Sequence, residues 1–185
     1  MMTYPEIVSF HGHECPGLAI GYRMATAAME ELSVLRAEDE EIVAIVENDA
    51  CGVDALQCIT GCTFGKGNLI FHDYGKSVYT LYVRSSGKGV RVLFHGKDIP
   101  EGMRENREAL VDWILKAKKE AILQLKDVSV DEPAHARVHE SVPCAFCQER
   151  VMETRIRDVE GKPACIPCAT RHGKAVQPAA PPYER

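Results

Sequence analysis

Two Cys-x-x-Cys pairs, CAFC at 144–147 and CIPC at 165–168, constrain the fold of this chain more than any other feature. A Cys-x-x-Cys turn aims two sulfurs at one point, and two such turns complete a tetrahedron of thiolates around a metal. Residues 148–164 separate the pairs, 17 in all, within the window of a four-cysteine zinc module. Between them, ERVMETRIRDVEGKPAC reads as a strand, a turn at GK and a short return. So small a piece cannot bury a core of its own, and the metal must supply much of its folding energy. Cys144, Cys147, Cys165 and Cys168 are therefore assigned to a structural zinc, a rubredoxin-like iron site being the lesser alternative. Four protein sulfurs leave no coordination position open for chemistry.

No cysteine lies between Cys62 and Cys144, and that gap is a domain signal. The 185 residues suffice for one ordinary domain plus a small appendage. The boundaries expected are a core domain over 1–127, a linker over 128–140, the zinc domain over 141–173 and a disordered Pro/Ala-rich tail over 174–185. The N-terminal MMTYPEIVSFHGH lacks the basic region and apolar stretch of a signal peptide, and no run of 18 apolar residues occurs. These observations predict a cytoplasmic chain with no membrane partner, in which eight cysteines serve metal binding or thiol chemistry rather than disulfides. A net charge of −5 argues against nucleic acid and anionic membranes. The zinc domain is mildly basic, with Arg150, Arg155, Arg157, Arg171 and Lys174, but no Arg- or Lys-rich reading helix follows it.

Along the core, PGLAIGYRMATAAMEELS predicts a helix with Leu18, Tyr22, Ala25, Met29 and Leu32 on one face and Pro16 in its first turn. EIVAIVEN is apolar on both faces and reads as an internal strand. VDALQCITGC reads as a short helix and TFGKGN as a glycine-rich turn. NLIFHDYG, SVYTLYVR and GVRVLFH read as three strands, with hairpin turns at YGK and SSGKG. Residues 101–126 carry the longest helical stripe, Leu110, Ile114, Ala117, Ala121 and Leu125.

The stretch FHGHECPG places His11, His13 and Cys15 at every second position. In an extended segment all three point one way, and the following helix start favours a thiolate at Cys15. Imidazole and thiolate suit zinc, iron or copper rather than magnesium or calcium. The bland reading is a turn in front of a helix. A second cluster, Cys51, Asp54, Cys58 and Cys62, raises the odds of a site: on a helix Asp54, Cys58 and Cys62 share a face and Cys51 sits just before it. Cys58 is as well explained by packing. TGCTFGKGN resembles a phosphate loop only loosely, since it lacks the Gly-Lys-Ser/Thr ending.

HGHECPGLAIGYRMA, CGVDALQCITGCTFGKGNL, DYGK and the Cys-x-x-Cys pairs, in this order, resemble the FmdE family, named after a component of formylmethanofuran dehydrogenase. The resemblance implies an α+β core in which an antiparallel sheet packs with helices, a small zinc finger of treble-clef or ribbon type, and homodimers. It also implies association with molybdenum or tungsten pterin oxidoreductase chemistry, although many members stand alone in organisms that make no methane. This chain carries Cys51, Asp54, Gln57, Thr60, Gly61, Cys62 and Thr63 of the family's second motif, and Cys58 occupies a slot that motif leaves open. The reading that follows is a metal-binding protein with a second metal, zinc or iron, in the core. Its candidate ligands are His11, His13, Cys15, Cys51 and Cys62. Cys15, Cys51 and Asp54 are the candidates for thiol and proton chemistry, and Thr60, Gly61 and Lys66 for contacts to an anionic or pterin phosphate ligand. Three readings remain: a catalytic or redox site, a non-catalytic accessory protein that docks on a molybdopterin oxidoreductase or delivers metal or sulfur to it, and, more weakly, a zinc-finger regulator.

Overall fold

The computed structural model describes residues 2–172, so the expected disordered tail lies outside the described residues. The chain forms two compact units, Met1–His135 and Ala136 onward.

The first unit is an α+β fold. Its elements are helices α1 (Tyr4–His11) and α2 (Pro16–Leu32), strand β1 (Ile42–Val46), helix α3 (Gly52–Thr60), strands β2 (Leu69–Phe71), β3 (Val78–Val83) and β4 (Lys88–Phe94), a 3-10 turn at Met103–Glu105, helices α4 (Arg107–Lys116) and α5 (Lys119–Ile122), and strand β5 (Leu123–Val128). The sheet order is β2-β1-β3-β4-β5. Pairing is antiparallel throughout β1-β3-β4-β5, while β2 runs parallel to β1 at the edge.

Helix α2 forms for the reasons visible in its sequence. Pro16 needs no N–H in the first turn, and the Cys15 side chain accepts from the Leu18 amide. Its buried residues, Leu18, Ala19, Gly21, Met24, Ala25, Ala27, Ala28 and Met29, are mostly small, which lets α2 pack closely on its neighbours. The tightest approach is Gly21 against Gly52: a Cβ on Gly21 would overlap the Gly52 backbone. A Cβ on Gly52 would in turn lie 2.9 Å from the Gly17 carbonyl oxygen. Only glycine at both positions allows the N-terminal turns of α2 and α3 to sit side by side. On the other flank of α2, the Arg23 guanidinium donates to the carbonyls of Leu115 (2.8 Å) and Ala117 (2.7 Å), satisfying acceptors that the end of α4 leaves open.

Two expectations are corrected. The glycine-bearing YGK segment does not close a hairpin, because β1 inserts between β2 and β3; SSGKG does join β3 to β4. Residues 101–126 are not one helix. Ala117 (ψ 146°) and Lys118 (ψ 143°) adopt extended backbone, and LQLKDV then pairs with β4 from Leu123↔Phe94 to Val128↔Gly89. Open edge hydrogen bonds on β4 outweigh the helical preference of a short polar-alternating stretch. Residues 4–11, to which the sequence pattern assigns no element, also form a helix. Its start is fixed by Glu6, whose carboxylate accepts the Thr3 amide at 2.7 Å, and its end by Gly12 at φ 93°, whose amide donates to the Val8 carbonyl.

In the second unit, β6 (Ser141–Pro143) pairs with β7 (Arg150–Met152), β8 (Arg157–Val159) pairs with β9 (Lys162–Ala164), and α6 (Ile166–His172) follows. This succession of knuckle, hairpin and helix is that of a treble clef. The 3-10 turn Glu153–Arg155 links the hairpins. Its buried cluster consists of Cys144, Val159, Ala164, Cys165, Cys168 and Ala169.

Candidate metal centres

The C-terminal cluster is assembled by the two turns that the sequence marks. Cys144 and Cys147 sit in the β6–β7 turn, Cys165 precedes α6 and Cys168 lies in its first turn. All four sulfurs lie within 4.8 Å of one another, and Cys147 and Cys165 are 3.9 Å apart. A tetrahedron with bonds of about 2.3 Å places its sulfurs about 3.8 Å apart. Backbone amides point at the sulfurs: Cys165 N–H donates to Cys144 Sγ at 3.3 Å, and Cys168 N–H to Cys165 Sγ at 3.4 Å. Amides of Cys147 and Cys165 hold the Cys144 thiol down, to about 6. Cys168 moves the other way, chiefly because Cys165 hydrogen-bonds to it. Neighbouring thiols that cannot all ionise unaided are the donor set a cation resolves.

The core cluster gathers ends of three helices. His11 is the last residue of α1, Cys15 caps the N-terminus of α2 and Cys51 stands at the N-cap position of α3. With His13, from the loop joining α1 to α2, they bring two imidazoles and two thiols within 4.8 Å of one another. The His11 and His13 rings are 4.5 Å apart. Of the extended strand or turn that the spacing suggests, the residues meet by the turn: a helix end followed by a left-handed glycine. Gly17 lies over the pair of thiols: a Cβ there would be 3.3 Å from Cys51 Cβ and 3.9 Å from Cys15 Sγ. Burial raises the Cys51 thiol, and the adjoining Cys15 raises it further.

Asp54 belongs to the site through His11. Its Oδ2 lies 2.7 Å from His11 Nδ1, and Gln57 donates to its Oδ1 at 3.4 Å. The other ring nitrogen, Nε2, is buried and has no hydrogen-bond partner among the described residues. An orphaned buried nitrogen is costly. A carboxylate on one ring nitrogen with the other left bare is the arrangement of a metal-ligating histidine. The donor set of two imidazoles and two thiols fits zinc or iron, so the residues present suit a second metal. His13 is exposed while Cys15 is buried, so the cluster reaches the surface on the imidazole side.

Beside it lies a cavity of about 340 Å³, with His11, Cys51 and Asp54 on one side and Val46, Asn48, Asp49, Phe64 and Phe71 among its other walls. Sequence reasoning misses Asn48, Asp49, Phe64 and Phe71. Their shared location, the end of β1 and the edge beyond α3, emerges only once β2 is known to pair with β1.

The remaining sequence candidates lie elsewhere. Cys62 is outside the cluster: it is fully buried in the core, donates to the Ile42 carbonyl at 3.3 Å, and burial pushes its thiol up to about 11. The Thr60 hydroxyl donates to the Leu56 carbonyl and accepts from the Cys62 amide. Gly61 ends α3 at φ 78°, against the Ala37 carbonyl. Lys66 donates to the carbonyls of Glu38 and Asp39, both at 3.2 Å. These three hold the α3–β2 connection in place and do not line the cavity. Cys58 is buried in the core, and desolvation raises its thiol.

Fold and sites together define an α+β protein with a His/Cys metal-binding group in its core and a four-cysteine group in a treble-clef appendage. The chain belongs to the FmdE family (molybdenum formylmethanofuran dehydrogenase operon), matched over residues 10–133. It is similar to a tungsten formylmethanofuran dehydrogenase FmdE-like protein from Syntrophus aciditrophicus, with 29% identity and a TM-score of 0.70 over 94% of this chain and 96% of that one. It is also 32% identical, over 86% of its length, to a probable S-adenosyl-L-methionine-binding protein of Archaeoglobus fulgidus. The chain spans 50% of that relative's length. Among the described residues, no helix is long and apolar enough to cross a membrane.

Proposed function

We propose that the protein carries two metals with different tasks: a structural zinc at Cys144, Cys147, Cys165 and Cys168, and a zinc or iron at His11, His13, Cys15 and Cys51 that faces a ligand cavity. The observation that carries this reading is His11, whose Nδ1 is committed to Asp54 while its buried Nε2 has no hydrogen-bond partner among the described residues. A metal bound there supplies Lewis acidity or, if iron, a redox centre. The chain's own residues do the rest. Asp54 fixes the His11 tautomer by accepting the Nδ1 proton, and Gln57 keeps the carboxylate aimed. Gly21 and Gly52 hold the two thiol-bearing helix starts at contact distance.

The family's operon description and the tungsten-enzyme name of the structural relative support work alongside a molybdenum or tungsten oxidoreductase; a cytoplasmic homodimer is part of the same proposal. The cavity beside His11 and Cys51 favours a ligand-handling role. A purely accessory protein that delivers metal or sulfur has no need of it. The test is metal content per chain by mass spectrometry on anaerobically purified protein. Wild type should hold about two metals, Cys144→Ser/Cys147→Ser should lose one, and His13→Ala/Cys15→Ser the other. About one metal in wild type, lost only with the C-terminal cysteines, sinks the core-metal reading.

A further inference from the structure

The cavity beside the core cluster is lined by acidic and aromatic side chains, not by the basic ones that a phosphate-bearing ligand would call for. Lys66, the basic residue of the glycine-rich turn, is held 3.2 Å from two backbone carbonyls and is not a wall of the cavity. No lysine or arginine is among its lining residues, whereas Asp49 and Asp54 are. The N-terminus of α3, the other feature that would attract an anion, is already occupied. Asp54 stands in its first turn, and the amides of Val53 and Asp54 donate to the carbonyls of Ala50 and Cys51. A divalent metal with two thiolates and two neutral imidazoles is electrically neutral and would not offset the two carboxylates.

The walls also have a shape. Phe64 and Phe71 supply aromatic surface. The polar edge consists of Asn48, Asp49 and Gln57. The Asn48 amide is committed, donating to the Lys76 carbonyl and accepting from the Ala50 amide. Asp49 has no hydrogen bond or ion pair among the described residues, so its carboxylate is available as an acceptor. His11, whose side chain is only 10% exposed, turns its ring into the same space. A volume of about 340 Å³ is that of a small-molecule site.

We infer that this cavity binds a planar nitrogen heterocycle bearing N–H or O–H donors and no phosphate, its ring against Phe64 and Phe71 and a donor on Asp49, with its edge presented to the metal side at His11 and Cys51. The inference rests on the reading of His11 and Cys51 as metal ligands. Aromatic faces hold such a ring by stacking. The free carboxylate accepts its donors, and the local negative field repels phosphate or carboxylate groups.

The experiment is calorimetric titration of full-length protein with adenosine and with AMP, one ring system without and with a phosphate, at low salt. Metal content is measured on each sample. Adenosine should bind at least about tenfold tighter than AMP, since a phosphate adds about −1.5 to −2 charge beside two carboxylates. Asp49→Asn should narrow that ratio to about threefold or less, and Phe64→Ala should weaken adenosine at least about tenfold. Equal or tighter binding of AMP overturns the inference. So does a metal-replete protein that takes up no adenosine, or a ratio that Asp49→Asn leaves unchanged. A metal-poor core that still prefers adenosine overturns the metal reading alone, so the two failures are distinguishable.

Discussion

Among the described residues, the buried cluster of the C-terminal unit contains six residues, and three of them are cysteines: Cys144, Cys165 and Cys168. The core cluster contains 29, among them Cys15, while His11, His13 and Cys51 lie outside it or only pack against it. In the first case the candidate ligands are the core. In the second only Cys15 belongs to a core of 29 residues, the other three candidate ligands lie at its margin, and a cavity adjoins them. The difference teaches which metal the fold depends on. Where ligands are half of the buried cluster, binding is folding; where they cap helices anchored elsewhere, the metal can be exchanged, tuned or approached by a ligand.

The largest effect that would break this contrast is removal of the C-terminal ligands. Cys144→Ser/Cys147→Ser, or strong chelation, should forfeit a binding free energy of about 10–16 kcal/mol in apparent terms and unfold that unit. Hydrogen exchange should show Cys165 and Ala169 losing protection while β3 and β4 keep theirs. Loss of protection in β3 would mean that the core, too, folds around metal.

A second prediction uses a cysteine that belongs to neither site. Cys62 titrates near 11 in the folded chain, pushed up by burial from an ordinary value near 9. Between those values the unfolded chain has lost the proton and the folded chain retains it. The unfolded state then binds fewer protons, so stability falls as pH rises. Denaturant titrations from pH 8 to 11 should show a loss of about 2–3 kcal/mol that Cys62→Ala lacks. An equal slope in the variant would place the thiol in contact with water, and so closer to a ligand role than to packing.

Asp54 comes next. Asp54→Asn removes the carboxylate behind His11 and should weaken core metal binding about 10- to 100-fold while leaving the C-terminal metal in place. Competition with a chelator, followed by metal analysis, reads both sites in one sample. Equal weakening at both would mean that Asp54 acts on overall stability instead of on His11.

Much of this contrast is legible in the sequence, for reasons that differ by region. The C-terminal ligands follow from spacing alone, because Cys-x-x-Cys geometry is local. In the core, His11, His13, Cys15 and Cys51 stand out in the sequence and do converge, but by a route that spacing does not reveal. The alternation of residues 11, 13 and 15 suggests an extended segment, although Thr3 and Glu6 already mark a helix start. Cys62 groups with the ligands because it shares a notional helix face with Asp54 and Cys58 and stands in the second motif. Gly61 ends α3 at φ 78°, and the chain then turns the thiol toward the Ile42 carbonyl. Lys66 and the strand at 123–128 escape a local reading for a common reason. Their partners, the Glu38 and Asp39 carbonyls and the open edge of β4, are distant in sequence, and local pattern does not register them.

The smallest prediction tests whether His11 depends on the helix that carries it. Thr3 and Glu6 fix the start of α1 through an exposed hydrogen bond, and Ile7 alone is buried along its length. Glu6 is held below the usual carboxylate range by the Thr3 amide and then by the Thr3 hydroxyl. Glu6→Ala leaves the Thr3 amide without its partner and should destabilise the first turn of α1 slightly. If α1 is an independent arm, the loss should appear as fraying of residues 4–7 and a measurable fall in core metal affinity, with the melting temperature of the sheet nearly unchanged. If Ile7 and the Asp54 bond alone position His11, metal affinity should stay at the wild-type value while the N-terminal turn frays. The second outcome would move the core site one step toward the C-terminal one, with local contacts at the ligands, and not the helix behind them, setting the geometry.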